Sequence, residues 1–326
     1  MNGAARRGGQ LVLATAISVV AYHLSALFGA FFLLPLQWVR SRLGEAAFLL
    51  SSVLALAAIV GVDAGLKALV HSPWTVLDTA VLAVPVTSLA GWVGIVLLER
   101  TRWRFLYRVL LVTAAAAAVL FPLAAALLNS ESFMKMVTDA FDKVWNEIMK
   151  TPGLDASLTA GLNQGDFLDL IKQTVLYSFL TVFFLFWMFT GRLAKALEGG
   201  RSEVLKTFRV PPQGAWFLLG LWGLLLIQSL AHRWGVAWDW GFWQYVVFNL
   251  ALIALVVHAL AGVGIIEAFM ARARWPVFGR IAVRTALLLL LFAQGAGQLV
   301  VLVGLPLLAV LELWVNLRTR TQEVGQ

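Results

Sequence analysis

The 326-residue chain contains no cysteine, which removes disulfide frameworks, thiolate metal sites and cysteine nucleophiles together. Charge is scarce: 13% of residues are Asp, Glu, Lys or Arg, where a soluble domain carries about 25%. Four histidines are present, too few without thiolates to suggest a tight transition-metal site. No HExxH, GxSxG or Walker A pattern occurs, nor an intramembrane Ser/His pairing with suitable flanks. The expectation is a protein that is not an enzyme, with no catalytic residues, no metal and no cofactor. Any ATP-driven transport would depend on a partner's ATPase.

What the chain has instead is apolar length. Hydrophobic residues make up 61% and mean hydropathy is +0.85, with apolar runs of about 20 residues where barrel strands would show short alternating segments. The fold class is all-α, a polytopic helical membrane protein. About eight transmembrane helices are expected, at 11–38, 46–70, 74–98, 105–128, 168–190, 215–231, 243–270 and 282–303. The apolar part beginning at Leu11 runs about 27 residues, too long for a signal peptide, and reads as a retained first span. Arg6 and Arg7 read as flanking charge. Between the fourth and fifth spans, 131–150 places Phe133, Val137, Phe141, Val144 and Ile148 on one stripe, the pattern of an extramembrane amphipathic helix lying at the surface. Val210-Pro211-Pro212 closes a basic linker, 192–214. It separates an N-terminal five-span part, 1–191, from a C-terminal three-span part with an interfacial tail, 215–326.

Loop charge orients the spans. With 99–104 inside, fifteen of the 25 basic residues collect on one side, including Arg40, Arg42, Arg100, Arg108, Lys195, Arg272, Arg274 and Arg284. This makes the net charge of +8 a cytoplasmic-loop property attracted to anionic lipid headgroups, and argues against nucleic-acid binding. Simple alternation places both termini outside, which puts Arg6, Arg7, Arg318 and Arg320 on the wrong side. Hairpins or broken helices in the first and last apolar segments would remove that conflict.

Polar residues at mid-depth are expensive, and by default they face the bundle or a wet cavity. His23 and His258 fall near the centres of the first and seventh expected spans, and Gln294 and Gln298 share a face of the eighth. They are candidate ligand-binding residues, weighed against interhelical hydrogen bonding that merely holds a bundle together. Asp63 and Lys67, at i,i+4, read as an ion pair, Ala57, Gly61 and Gly65 as a close-packing seam, Asp78 as a helix start and Glu267 as part of the basic interface. Taken as one helix, 282–317 would measure about 54 Å against a hydrocarbon core of about 30 Å. It must therefore tilt, break near Gly304-Leu305-Pro306, or project as a tail in which Glu312 is either a fifth candidate ligand or part of a Trp314/Arg318 anchor.

"LELWVNLR" (311–318), "LKTFRVPPQGAWFLLG" (205–220), "LAGVGIIEAF" (260–269) and "LLPLQWVRSRLGEAA" (33–47) resemble motifs of the YybS-like family of bacterial multi-span membrane proteins, a domain of unknown function. Glu312 and Asn316 stand where that family more often has Asp, and Ala309 where Gly is usual. The resemblance implies a bacterial cytoplasmic (inner) membrane protein whose layout is similar to the substrate-binding subunits of energy-coupling-factor vitamin transporters. The leading expectation is a small-molecule binding or transport subunit with a mid-membrane polar pocket and membrane lipids as neighbours. The alternative is a scaffold or assembly protein that docks protein partners through its cytoplasmic basic loops.

Overall fold

The computed structural model describes residues 3–24, 31–71, 73–149, 164–197, 208–236, 240–292, 296–315 and 317–318. No strand occurs among them, as lipid demands when each backbone donor must find its acceptor within its own segment. Seven helical stretches among the described residues are long and apolar enough to cross a membrane: 45–69, 77–100, 105–128, 172–195, 212–233, 242–272 and 297–315. The chain is a multi-pass membrane protein, and it divides between Gly200 and Arg201 into two compact units.

The N-terminal unit contains α1 (Gly3–Leu24), α2 (Leu33–Leu43), α3 (Glu45–Leu69), α4 (Val76–Leu97) with a 3₁₀ turn at Leu98–Arg100, α5 (Phe105–Leu128), α6 (Glu131–Met149) and α7 (Gln164–Leu197). The expected first span, 11–38, is therefore two helices. Pro35 explains the second start: it occupies the first turn of α2, where its missing N–H costs no hydrogen bond. α1 packs against both α2 and α3, and Ser18 of α1 donates to the carbonyl of Phe32 just before α2. His23, at the end of α1, lies 3.8 Å from Asp63, late in α3. Packed side by side with their C-terminal ends together, α1 and α3 run in the same direction. The start of α1, with Arg6 and Arg7, thus returns to the end of the unit where α3 begins.

That end is held by ions. Arg40 and Arg108 both pair with Glu99, Arg108 at 3.1 Å, and Arg100 meets Glu45 at 2.9 Å. Buried Arg108 also donates to the carbonyl of Ile95 at 3.1 Å. At the opposite end Lys67 pairs with Asp78, not with Asp63. Asp78 accepts from the Thr75 backbone at 2.6 Å and completes a capping box at the start of α4. The carboxylate of Asp78 lies where Lys67 can reach it across the α3–α4 turn, a distance invisible to i,i+4 counting. In the core, Trp187 of α7 is fully buried and donates to the carbonyl of Ser88 at 3.0 Å. A side chain on Gly91 would overlap the indole, so only glycine lets α4 and α7 close here. The seam expected at Ala57, Gly61 and Gly65 meets nothing: all three are exposed and both glycines face open space. α6 is helical where the amphipathic helix was expected, with Phe133, Val137 and Phe141 half-buried and Lys135, Asp139 and Lys143 exposed, but Val144 of the expected stripe is exposed as well and the Ile148 side chain lies outside the described residues.

The C-terminal unit contains α8 (Pro212–Arg233), α9 (Phe242–Arg272), α10 (Val277–Phe292), α11 (Ala296–Leu299), a π-helical turn (Val300–Gly304) and α12 (Leu305–Val315). Here too the expected boundaries shift, because 282–303 is not one span and 304–317 is not a projecting tail. Pro306 has no N–H to donate to the turn before it, and the wider π turn immediately upstream absorbs that interruption without breaking the helix. Glu267 of α9 meets Arg284 of α10, so these two helices run antiparallel. Gly262 abuts the Leu305 backbone and Arg272 donates to the carbonyl of Arg318, so α12 runs parallel to α9. The last apolar segment is a hairpin that leaves the Arg272 end along α10 and comes back along α11 and α12, delivering Arg318 beside Arg272. Ala215, Leu218 and Leu221 of α8, Ala251 and Ala254 of α9 and Val310 of α12 form one buried cluster. Trp222 donates across it to the carbonyl of Ala251 at 3.3 Å.

Candidate functional site

α9 has 31 residues and carries most of the buried polar chemistry of the C-terminal unit. His258 lies one residue past its midpoint and is 2% exposed. Its Nδ1 is 2.7 Å from the carbonyl of Ala254, one turn earlier. A carbonyl only accepts, so Nδ1 carries the hydrogen, and in the neutral ring Nε2 presents a lone pair. Nε2 is buried and has no hydrogen-bond partner among the described residues. The ring edge faces Gly214 in the first turn of α8: a Cβ built there would lie 3.8–3.9 Å from Cε1 and Nε2. What glycine accommodates at this position is the Val210 side chain, whose Cγ1 would lie 2.5 Å from that Cβ, whereas the contact with the imidazole would be an ordinary one.

One turn further along α9, the carbonyl of Ala261 accepts from Arg318 at 3.1 Å. The Nε of Arg318 is 2.9 Å from Oε1 of Glu312, and both side chains are more than nine-tenths buried. The two atoms are in Coulomb contact without the alignment of a hydrogen bond. Burial pulls the Arg318 pKa down from its ordinary value, Glu312 pulls it back up, and Arg209 pushes it down again. A guanidinium keeps its proton through such shifts. Arg209 directly precedes Val210, whose side chain is the group nearest Gly214. Val210, Gly214, His258, Ala261, Arg318 and Glu312 thus form one contiguous region within this unit.

The sequence candidates distribute unevenly over this picture. His258 and Glu312 are buried in helices that pack together, α9 and α12. Glu312 is 9% exposed and ion-paired, which replaces the expected edge-of-bilayer anchor. Trp314 is 67% exposed, but Arg318 turns inward and shares no outer face with it, because the helix ends at Val315. Gln298 is exposed on α11. Gln294 and Asn316 lie outside the described residues. His23 belongs to the N-terminal unit, where it is exposed and faces Asp63.

Sequence reasoning missed Arg318 and Arg284 as partners of Glu312 and Glu267. Arg284 holds Glu267 by two bonds, 2.6 and 2.9 Å, and Glu267 is 2% exposed. Glu267 and Glu312 themselves carried a signal, as carboxylates inside apolar runs, and their arginine partners did not. Among the described residues no cluster of three or more His, Cys, Asp or Glu could hold a metal ion. No family model, no curated protein and no solved structure matches the chain.

Proposed function

We propose that this protein is a non-enzymatic membrane subunit that binds a small polar molecule inside its C-terminal unit, in a bacterial cytoplasmic membrane, and serves a transport process. The observation that supports this reading is the buried Nε2 of His258, an acceptor held in a fixed direction by the Nδ1 bond to Ala254 and left without a donor. Leaving a buried polar atom unsatisfied costs about 1–3 kcal/mol. An imidazole kept at the centre of an apolar helix is therefore best accounted for by a donor supplied from outside the chain. A hydroxyl or amine of a small ligand fits that role, reaching the ring edge beside Gly214 and the Val210 side chain that lies against it. The YybS-like resemblance, in which the His258-containing helix and the Glu312–Arg318 segment are both motif-bearing, is compatible with this reading and names no ligand.

Native purification tests it. Wild-type protein extracted in mild detergent should carry one reproducible small molecule detectable by mass spectrometry, and His258→Ala should lose it while remaining folded. Absence of any bound molecule from folded wild-type protein would sink the reading. In that case capture of proteins through the exposed basic residues Arg102 and Arg104 of the 99–104 loop, and its loss on charge reversal there, would favour the scaffold alternative.

A further inference from the structure

At the basic end of the C-terminal unit the side chains of Ile266, Phe269 and Met270 on α9, Val283 on α10, Val315 at the end of α12 and Leu317 just past it wall an open groove of about 790 Å³. The α9–α10–α12 hairpin creates it. α10 leaves antiparallel and α12 returns parallel, and the three helix ends leave a furrow between them. Arg272 and Trp275 stand at its lip. The guanidinium of Arg272 sits 5.6 Å from the centroid of the Phe269 ring, directly on the groove wall.

The charges around this end are unequal. Its two buried carboxylates are each occupied, Glu267 by Arg284 and Glu312 by Arg318. Arg272, Arg274 and Arg280 have no carboxylate partner among the described residues. Arg272 gives one N–H to the Arg318 carbonyl and retains its other donors. Arg274 is exposed in the left-handed turn that ends α9. The Nε of Arg280 is buried without a hydrogen-bond partner, and Arg280 shares a helical face with groove-lining Val283. α9 measures about 46 Å at 1.5 Å per residue, longer than a hydrocarbon core of about 30 Å, so its Arg272 end reaches headgroup level.

We propose that this groove is a binding site for one anionic glycerophospholipid, with an acyl chain along the Phe269–Val283–Val315 walls and the phosphate between Arg272 and Arg274. The apolar walls exclude a soluble anion as the natural occupant, because they offer it no donor below the lip. The cationic lip selects against zwitterionic lipids. A choline or ethanolamine headgroup would bring an ammonium among guanidiniums at a place where each buried carboxylate among the described residues is already paired. The site is independent of the proposed ligand at His258, and either can fail without the other.

The test uses the full chain in detergent with equimolar phosphatidylglycerol and phosphatidylcholine, read by native mass spectrometry. Wild-type protein should retain one phosphatidylglycerol in clear preference. R272Q/R274Q should lower that retention about tenfold, and the charge-preserving R272K/R274K should keep most of it. R102Q, which removes an exposed arginine of the N-terminal unit, should change nothing. Equal retention of the two lipids by wild type, or an unchanged preference in R272Q/R274Q, overturns the proposal. Should R272Q/R274Q not fold, brominated lipids decide it. The fluorescence difference between wild type and W275F should be quenched by brominated phosphatidylglycerol and not by brominated phosphatidylcholine, and equal quenching overturns the proposal.

Discussion

Arg318 and Glu312 form a pair of the kind whose two halves cannot be removed independently. Breaking a buried ion pair by deleting one partner strands the other charge, at a cost of about 3 kcal/mol or more. Arg318→Ala should therefore lower thermal stability sharply in detergent. The double variant Arg318→Ala/Glu312→Gln should recover most of the loss, since no uncompensated charge remains. A single variant as stable as wild type would show that Glu312 reaches water. His258 and Glu312 were legible in the sequence because each interrupts an apolar run, and burial follows from that setting. Their partners were not legible. Arg318 lies six residues from Glu312, on no shared helical face, and reaches it only because the chain leaves the helix at Val315 and folds back. Arg284 is separated from Glu267 by 17 residues and a turn. Likewise the i,i+4 spacing of Asp63 and Lys67 suggested a pair that the nearer carboxylate of Asp78 takes instead.

At the scale of elements, glycine decides which helices can touch. Gly262 lies against the Leu305 backbone so closely that a Cβ would overlap its carbonyl. Backbone cannot move aside as a flexible side chain can. Gly262→Leu should force α9 and α12 apart and destabilise the C-terminal unit by about 2 kcal/mol or more, measured as a lower unfolding midpoint. Gly61→Leu, at an outward-facing glycine, should be tolerated in the same assay. The sequence marked Gly61, with Ala57 and Gly65, as the packing seam, while Gly262 stood there only within the motif at 260–269. Small-residue spacing reports a helix's capacity for close approach and says nothing of which face has a neighbour. The helical elements themselves were largely readable from apolar length, and the misplaced ones are those with proline near a boundary. Pro35 begins a helix inside the first apolar segment, and Pro306 sits just beyond a π turn inside the last. Hydropathy averages over such breaks and cannot see the chain reverse.

These two reversals change the reading of the whole molecule. Simple alternation put Arg6, Arg7, Arg318 and Arg320 on the side opposite the basic majority. In the N-terminal unit, the α1–α2 hairpin brings the start of α1 to the end that holds Arg40, Arg100 and Arg108. In the C-terminal unit, the α10–α12 hairpin sets Arg318 beside Arg272. Within each unit, then, most of the described arginines gather at one end, Arg233 at the close of α8 being the exception, which is the arrangement the positive-inside rule selects. The side of the membrane that the groove at Arg272 faces depends on this arrangement. Threaded the other way, the C-terminal unit would turn the arginine lip to the opposite headgroup layer, while His258 would stay buried.

The absence of native cysteine makes that threading directly measurable, because a single introduced cysteine is the only thiol in the chain. Cysteines at Gly8, Thr101 and Ala273 should react with a membrane-impermeant maleimide only after the cytoplasmic face is exposed, whereas those at Ser132 and Arg233 should react in intact cells. Labelling of Gly8→Cys from outside intact cells would contradict the α1–α2 hairpin, and labelling of Ala273→Cys from outside would contradict the orientation that sets the arginine groove at the inner headgroups.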